Sequence, residues 1–146
     1  MTGFSSIDIR SIGAGGGSIA WIDKGGMLHV GPESAGANPG PVCYNKGGEK
    51  TTVTDAALVL GILNSDFFLG GKIKLNKNLA LKSIKNISQK LGLNEYDTAL
   101  SILDVVTQNM AQEIKSLTIH QGINPSESLI IAGGGASGIN ICLLYT

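Results

Sequence analysis

Two glycine clusters carry the chemistry that this sequence can offer. The first is Gly133-Gly134-Gly135-Ala136-Ser137, which follows the apolar run Leu129-Ile130-Ile131-Ala132. Consecutive glycines let a backbone lie flat against a planar ligand, because no Cβ intervenes. With a helix starting near Ser137, free N–H groups of its first turn face polar oxygens. This arrangement can contact a nucleotide; the alternative is a tight strand-to-helix turn with no ligand. The second cluster is Gly15-Gly16-Gly17-Ser18. Successive turn N–H groups can cradle an anion, or the glycines can serve only to pack the turn closely on a neighbouring strand.

Better-known glycine motifs are excluded by what surrounds these clusters. A dinucleotide fingerprint needs glycine where Ser18 stands and a helix after it, whereas strand-like residues follow. No Gly-Lys-Ser or Gly-Lys-Thr is present for a phosphate-binding P-loop. Cys43 and Cys142 lie too far apart for a paired-cysteine metal motif, and Cys43 has no nearby histidine to activate it, so it reads as an inert thiol. His29 falls on an expected strand and His120 at an expected helix end, where packing or a helix-dipole contact outweighs metal ligation. Lys72, Lys74, Lys77, Lys82, Lys85 and Lys90 have no acid between them. Without interleaved aromatics they read as a solvated helix face rather than a nucleic-acid patch, an acidic partner subunit being the second choice.

The elements that must position these loops can be read in order. Apolar-rich stretches at 18–22 and 27–30, joined by Asp23-Lys24-Gly25-Gly26, form a β-hairpin that carries Trp21. Residues 31–48, with Pro32, Pro39 and Pro41, form a long irregular loop. A short helix begins with Thr54 as N-cap and ends at Asn64-Ser65. Leu81, Ile84, Ile87 and Leu91 share one face of a second helix, capped by Asn76 or Asn78 and closed by Gly92. Asn94 and Asp97 open the longest helix, with a core stripe of Ala99, Leu103, Val106, Met110, Ile114 and Leu117, ending before Gly122. Residues 129–132 read as a short buried strand that feeds the glycine cluster.

Composition fits one soluble globular domain or part of one: 146 residues, 42% hydrophobic, 15% charged and no net charge. No run approaches the roughly 18 apolar residues of a bilayer span. The N-terminus lacks the apolar core of a secretory signal. A reducing cytoplasm is the simplest compartment.

The run DIRSIGAGGGSIAWIDKGGMLHVGPESAGANPGPVCY at 8–44, with TVTDAALVLG at 52–61 and LIIAGGGASG at 129–138, resembles the hydantoinase A / 5-oxoprolinase family. The resemblance spans nearly the whole chain in the family's order. It implies ATP-dependent opening of cyclic amides such as hydantoins and 5-oxoproline, with magnesium, by a subunit that works with a second subunit or fused domain; relatives carboxylate ketones. It implies an α/β fold forming part of an actin-like ATPase domain, akin to sugar kinases and heat-shock ATPases, with a glycine-rich hairpin region over 1–50 and a helical segment over 51–146. Gly133 to Ser137 then match the loop that contacts adenosine. Asp8 and Asp55 match patterned family positions; a carboxylate beside a glycine loop can bind magnesium, although a cap role is the better reading of Asp55. The family's two Asp-x-Gly-Gly-Ser/Thr phosphate loops are not in this sequence, and in Asp23-Lys24-Gly25-Gly26 a methionine follows instead of a hydroxyl. The expectation is a portion of a larger enzyme subunit, inactive in isolation, with a non-catalytic scaffold as the competing reading.

Overall fold

The computed structural model describes residues 9–145. The hairpin is organised by its turn. Asp23 Oδ1 accepts the N–H groups of Gly25 at 2.8 Å and Met27 at 2.9 Å, and Gly26 supplies a left-handed φ of +84°. Strands β1 (Ser18–Ile22) and β2 (Leu28–Ser34) therefore pair antiparallel, with Ala20 opposite Val30, Trp21 opposite His29 and Ile22 opposite Leu28. Strand β2 runs four residues beyond the expected end at Val30. It has one paired neighbour, and an edge strand tolerates the missing N–H of Pro32. Gly31, at φ +76°, lies so close to the carbonyl of Gly13 that a side chain would collide with it.

After a loop that includes a single 3-10 turn at Val42–Tyr44, helix α1 (Val53–Val59) is buried along its whole length. The expected cap, Thr54, is already helical. The cap is Thr52: its backbone is extended, its hydroxyl accepts from the Asp55 N–H, and the Asp55 carboxylate accepts the Thr52 N–H in return. This reciprocal capping box satisfies two otherwise orphaned donors, and that is why the helix starts two residues earlier than a single Thr-Asp step suggested.

Helix α2 (Lys77–Leu91) is capped by Asn76 and ends at Gly92 with φ +67°. It turns Ala80, Ser83, Ile84, Ile87 and Ser88 inward, while Leu81 and Leu91 are half-buried. The six lysines around it are all exposed. Helix α3 (Glu95–His120) is capped by Asn94, whose side chain accepts the Asp97 N–H at 2.8 Å. Its buried face is Thr98, Ala99, Ile102, Leu103, Val106 and Thr107. The expected stripe continues in register, but Met110, Ile114 and Leu117 are half-buried, because α1 and α2 cover only the first half of the helix. The core is thus α1 held between α2 and α3, with the hairpin laid against α3.

Helix α4 (Ser137–Tyr145) begins where expected, but the strand before it does not form. Leu129 and Ile131 are 87% and 86% exposed. A strand needs a neighbour to pair its backbone, and the one sheet among the described residues is the two-stranded hairpin elsewhere. The fold is mixed α/β with a helical core. No described helix is long and apolar enough to cross a membrane.

Candidate functional site

The two glycine clusters come from opposite ends of the chain and meet. A Cβ built on Gly16 would lie 3.7 Å from the Cβ of Ala136 and 2.9 Å from Thr54 Oγ1. What joins the first loop to the core is Thr54, whose N–H and hydroxyl both donate to the Gly16 carbonyl, at 2.9 and 2.8 Å. Gly17 is equally tight, since its Cβ would stand 2.7 Å from Ser34 Oγ, and its carbonyl accepts the Ala35 N–H. The loop is therefore closely packed at Gly16 and Gly17, where a side chain would collide, whereas Gly15 faces open space.

The space between the clusters is a cavity of about 620 Å³, within the range of small-molecule sites. Gly16, Gly17, Thr54, Gly135 and Ala136 form one side. Tyr44, Ile62, Phe67, Phe68 and Ile139 form an apolar side, where the Tyr44 and Phe68 rings are 5.5 Å apart and tilted. Burial pushes the Tyr44 phenol up, so it stays neutral. Among the described residues, no carboxylate, ammonium or guanidinium lines the cavity. Besides the polar side chains of Asn64, Thr54 and Tyr44, polarity is available from the backbone: the N–H groups of Gly16, Gly17, Gly135 and Ala136 make no hydrogen bond to any described residue. A planar apolar group with attached oxygens matches these walls.

The remaining expected site residues have other places. Gly15 donates to Ser18 Oγ at 2.9 Å, and Ser18 Oγ donates to the Gly13 carbonyl, so both close the turn and do not line the cavity. Gly133 lies outside it. Gly134, at φ +97°, offers its carbonyl to Ser137 Oγ at 2.6 Å and starts α4. Asp8 lies outside the described residues. Asp55 is fully buried, with both oxygens engaged by protein donors. Its oxygens serve protein donors away from solvent, and no group of three metal-ligating side chains occurs among the described residues. Cys43 is buried, and burial followed by the negative charge of Asp55 pushes its thiol up, which suits an inert residue. His120 donates to the Ser116 carbonyl within α3.

Sequence reasoning missed the apolar side. Phe67 and Phe68 sit between Asn64-Ser65 and Gly70-Gly71, so two of the three phenylalanines fall in a short turn-bounded segment. That concentration of aromatics outside any periodic element was the available signal.

A second hollow, of about 700 Å³, lies between the hairpin and α3. Its lining includes Arg10, Trp21, His29, Asn109 and Glu113. His29 is stacked on Trp21 with ring centroids 4.6 Å apart and bonded to Asp23 at 2.7 Å. It holds only Gly13 and Ala14 from the first glycine segment and nothing from the second. The cavity that unites both clusters is therefore the candidate site.

Comparison with known proteins identifies the family. The family model described as hydantoinase/oxoprolinase matches residues 1–146. The chain is 46% identical to caprolactamase subunit alpha of Pseudomonas jessenii, covering 97% of this chain and 20% of that one. It is 45% identical to the acetophenone carboxylase gamma subunit of Aromatoleum aromaticum, covering 93% and 19%. Among solved structures, the ATP-dependent caprolactamase of Pseudomonas jessenii superposes with a TM-score of 0.87 over 94% of this chain and 20% of that chain. The nucleotide-free acetone carboxylase, from work on ATP-dependent acetone carboxylation, gives 0.80 at 32% identity, over 87% and 18%. The chain spans about a fifth of the length of these relatives.

Proposed function

This chain belongs to the hydantoinase/oxoprolinase family, and from that premise we propose that it supplies the adenosine-side wall of an ATP cleft in an enzyme that opens cyclic amides. The observation that carries the proposal is the meeting of Gly16 and Ala136 on one uncharged cavity of about 620 Å³. Gly135 would let the base or ribose lie on bare backbone beside the small Ala136, with Tyr44 and Phe68 offering ring faces. The unbonded N–H groups of Gly16 and Gly17 can meet polar oxygens without a formal charge. The actin-like ATPase architecture implied by the family would place the phosphates, and the magnesium that accompanies them, against segments other than those described, since Asp55 is already satisfied.

When bound, ATP supplies a phosphoryl group for the amide oxygen, after which water completes ring opening. This chain's residues would hold the nucleotide, exclude water from one side of it and keep the cleft shaped. A second subunit or fused domain fits the relatives, one of which is itself named as subunit alpha. A ketone carboxylase subunit is the second reading. It is favoured by the near-equal identity to the caprolactamase and acetophenone carboxylase subunits, 46% and 45%. A segment equally similar to both serves a step both chemistries can share, which is nucleotide handling rather than substrate choice.

The test is a titration of the 146-residue chain with magnesium ATP, followed by amide chemical shifts. Shifts concentrated at Gly16, Gly17, Tyr44, Gly135 and Ala136 are expected. Shifts confined to the hollow around Arg10 and Glu113, or none at saturating ATP, would sink the assignment. Lactam hydrolysis by the isolated chain is expected to be nil, because neither phosphate loop of the family is in the sequence. Sustained ATP-dependent ring opening would contradict that.

A further inference from the structure

Asp55 is the one carboxylate or cationic side chain that is buried among the described residues, with 0% of its surface exposed. Taking a carboxylate out of water is costly unless other donors replace the water. No cation among the described residues pairs with it. Four donors surround it instead. Oδ1 accepts the Cys43 N–H at 2.7 Å, and Oδ2 accepts the Val42 N–H at 3.2 Å, the Thr52 N–H at 2.9 Å and the Thr52 hydroxyl at 2.8 Å.

The capping box explains the bonds to Thr52 but not those to Val42 and Cys43, which come from a different loop. That loop's Pro41 and Tyr44, on either side of the clasped pair, line the cavity. On the other side of the clasp, Thr54 immediately precedes Asp55 and grips Gly16. The neutral Cys43 thiol beside the carboxylate adds no competing charge.

We propose that Asp55 is a positioning residue for the cavity: its carboxylate clasps the 41–44 turn to the start of α1, fixing the Tyr44 wall relative to the Thr54–Gly16 wall before any ligand arrives. Asparagine cannot replace it. An amide offers one acceptor oxygen and turns its NH₂ toward N–H donors. The inference rests on the cavity being the nucleotide site for its effect on affinity, but not for its effect on local order.

The experiment compares wild type, Asp55→Asn, Thr52→Val and Thr52→Ser in the 146-residue chain, well below each thermal transition. Thr52→Val removes, at nearly constant shape, both the hydroxyl's bond to Asp55 Oδ2 and its capping bond from the Asp55 N–H, and Thr52→Ser restores both. Expected for Asp55→Asn is a rise in the dissociation constant for magnesium ATP of at least about fivefold, as preorganisation is lost. Amide exchange at Thr54, Tyr44 and Ala35 should quicken while Ile102 and Val106 keep their protection. Thr52→Val should do the same more weakly, and Thr52→Ser should return to wild type. A lower melting temperature with unaltered affinity and unaltered exchange at those three amides would assign the clasp to folding alone and overturn the proposal. If Asp55→Asn does not fold, the Thr52→Val and Thr52→Ser pair decides by the same criteria. If wild type binds no ATP, the nucleotide reading fails by itself. The clasp is then supported by faster exchange at Thr54, Tyr44 and Ala35 and overturned by its absence.

Discussion

Thr54 holds Gly16 by two hydrogen bonds from one residue: N–H and Oγ1 both reach the Gly16 carbonyl, at 2.9 and 2.8 Å. The grip depends on the missing side chain, because a Cβ at Gly16 would sit 2.9 Å from that same Oγ1. A glycine that a motif search reads as an anion loop is thus also the seat of a helix-to-loop latch.

Gly16→Ala should therefore destabilise the chain by about 1–3 kcal/mol through overpacking. Its φ lies in the ordinary range, so backbone strain adds little. Thr54→Ala should cost about 1 kcal/mol for its lost hydrogen bond. Because Thr54→Ala also removes the colliding oxygen, the double variant should be less destabilised than the sum of the singles. Urea unfolding of all four proteins measures this, and strict additivity would show that the two residues do not share the latch.

The second prediction separates the two halves of α3. Val106 is 0% exposed, whereas Met110 is only half-buried. Val106→Asp should bury an unpaired charge and cost several kcal/mol. Met110→Asp can turn its carboxylate toward water and should cost markedly less. Equal losses of melting temperature would mean that the far half of the helix is more enclosed than its packing against α1 and α2 implies.

That contrast also marks what a sequence can and cannot reveal. The hairpin, the Asn94 cap, a cap at Asn76 or Asn78, Gly92 and the register of α3 were legible because each depends on residues within a few positions of one another. The depth of burial at Met110 was not, since it depends on where α1 and α2 stop covering α3. For the same reason periodicity could not show that Leu129 to Ala132 lack a neighbouring strand among the described residues. At the site, both glycine clusters were legible as loops, but their meeting was not. Gly16 and Ala136 are 120 positions apart, Gly16 is held by Thr54, which local pattern had made a cap, and the Asp55 bonds to Val42 and Cys43 leave no mark in spacing. Phe67 and Phe68 were overlooked because they belong to no periodic element.

The third prediction concerns acid. The carboxyl of Asp23 is held below the usual carboxylate range, first by its hydrogen bond to His29 and then by the Met27 N–H. A depressed folded value means that folding favours the carboxylate. Its contribution is complete above the ordinary value near 4 and fades as pH falls through the lower folded value. In His29→Gln, the midpoint of the Asp23 carboxyl carbon titration should move part of the way back up, since the bonds from Met27 and Gly25 remain. An unmoved midpoint would show that the backbone bonds alone set it.

The last prediction tests the ligand wall itself. Gly135 lines the cavity, has no left-handed φ and would place a Cβ in open space, with nothing within 4 Å. A side chain there is accommodated by the unliganded fold, unlike one at Gly134, where φ is +97°. Gly135→Val should accordingly leave the circular dichroism spectrum and melting temperature close to wild type, while projecting into the space proposed for the nucleotide. The dissociation constant for ATP should then rise by at least about tenfold, equivalent to ~1.4 kcal/mol of lost contact. Titration calorimetry on the 146-residue chain, or on a full-length relative carrying the matching substitution, provides the measurement. A folded variant that binds ATP as tightly as wild type would remove Gly135 from the contact and leave Gly133-Gly134-Gly135-Ala136-Ser137 as a turn that starts α4.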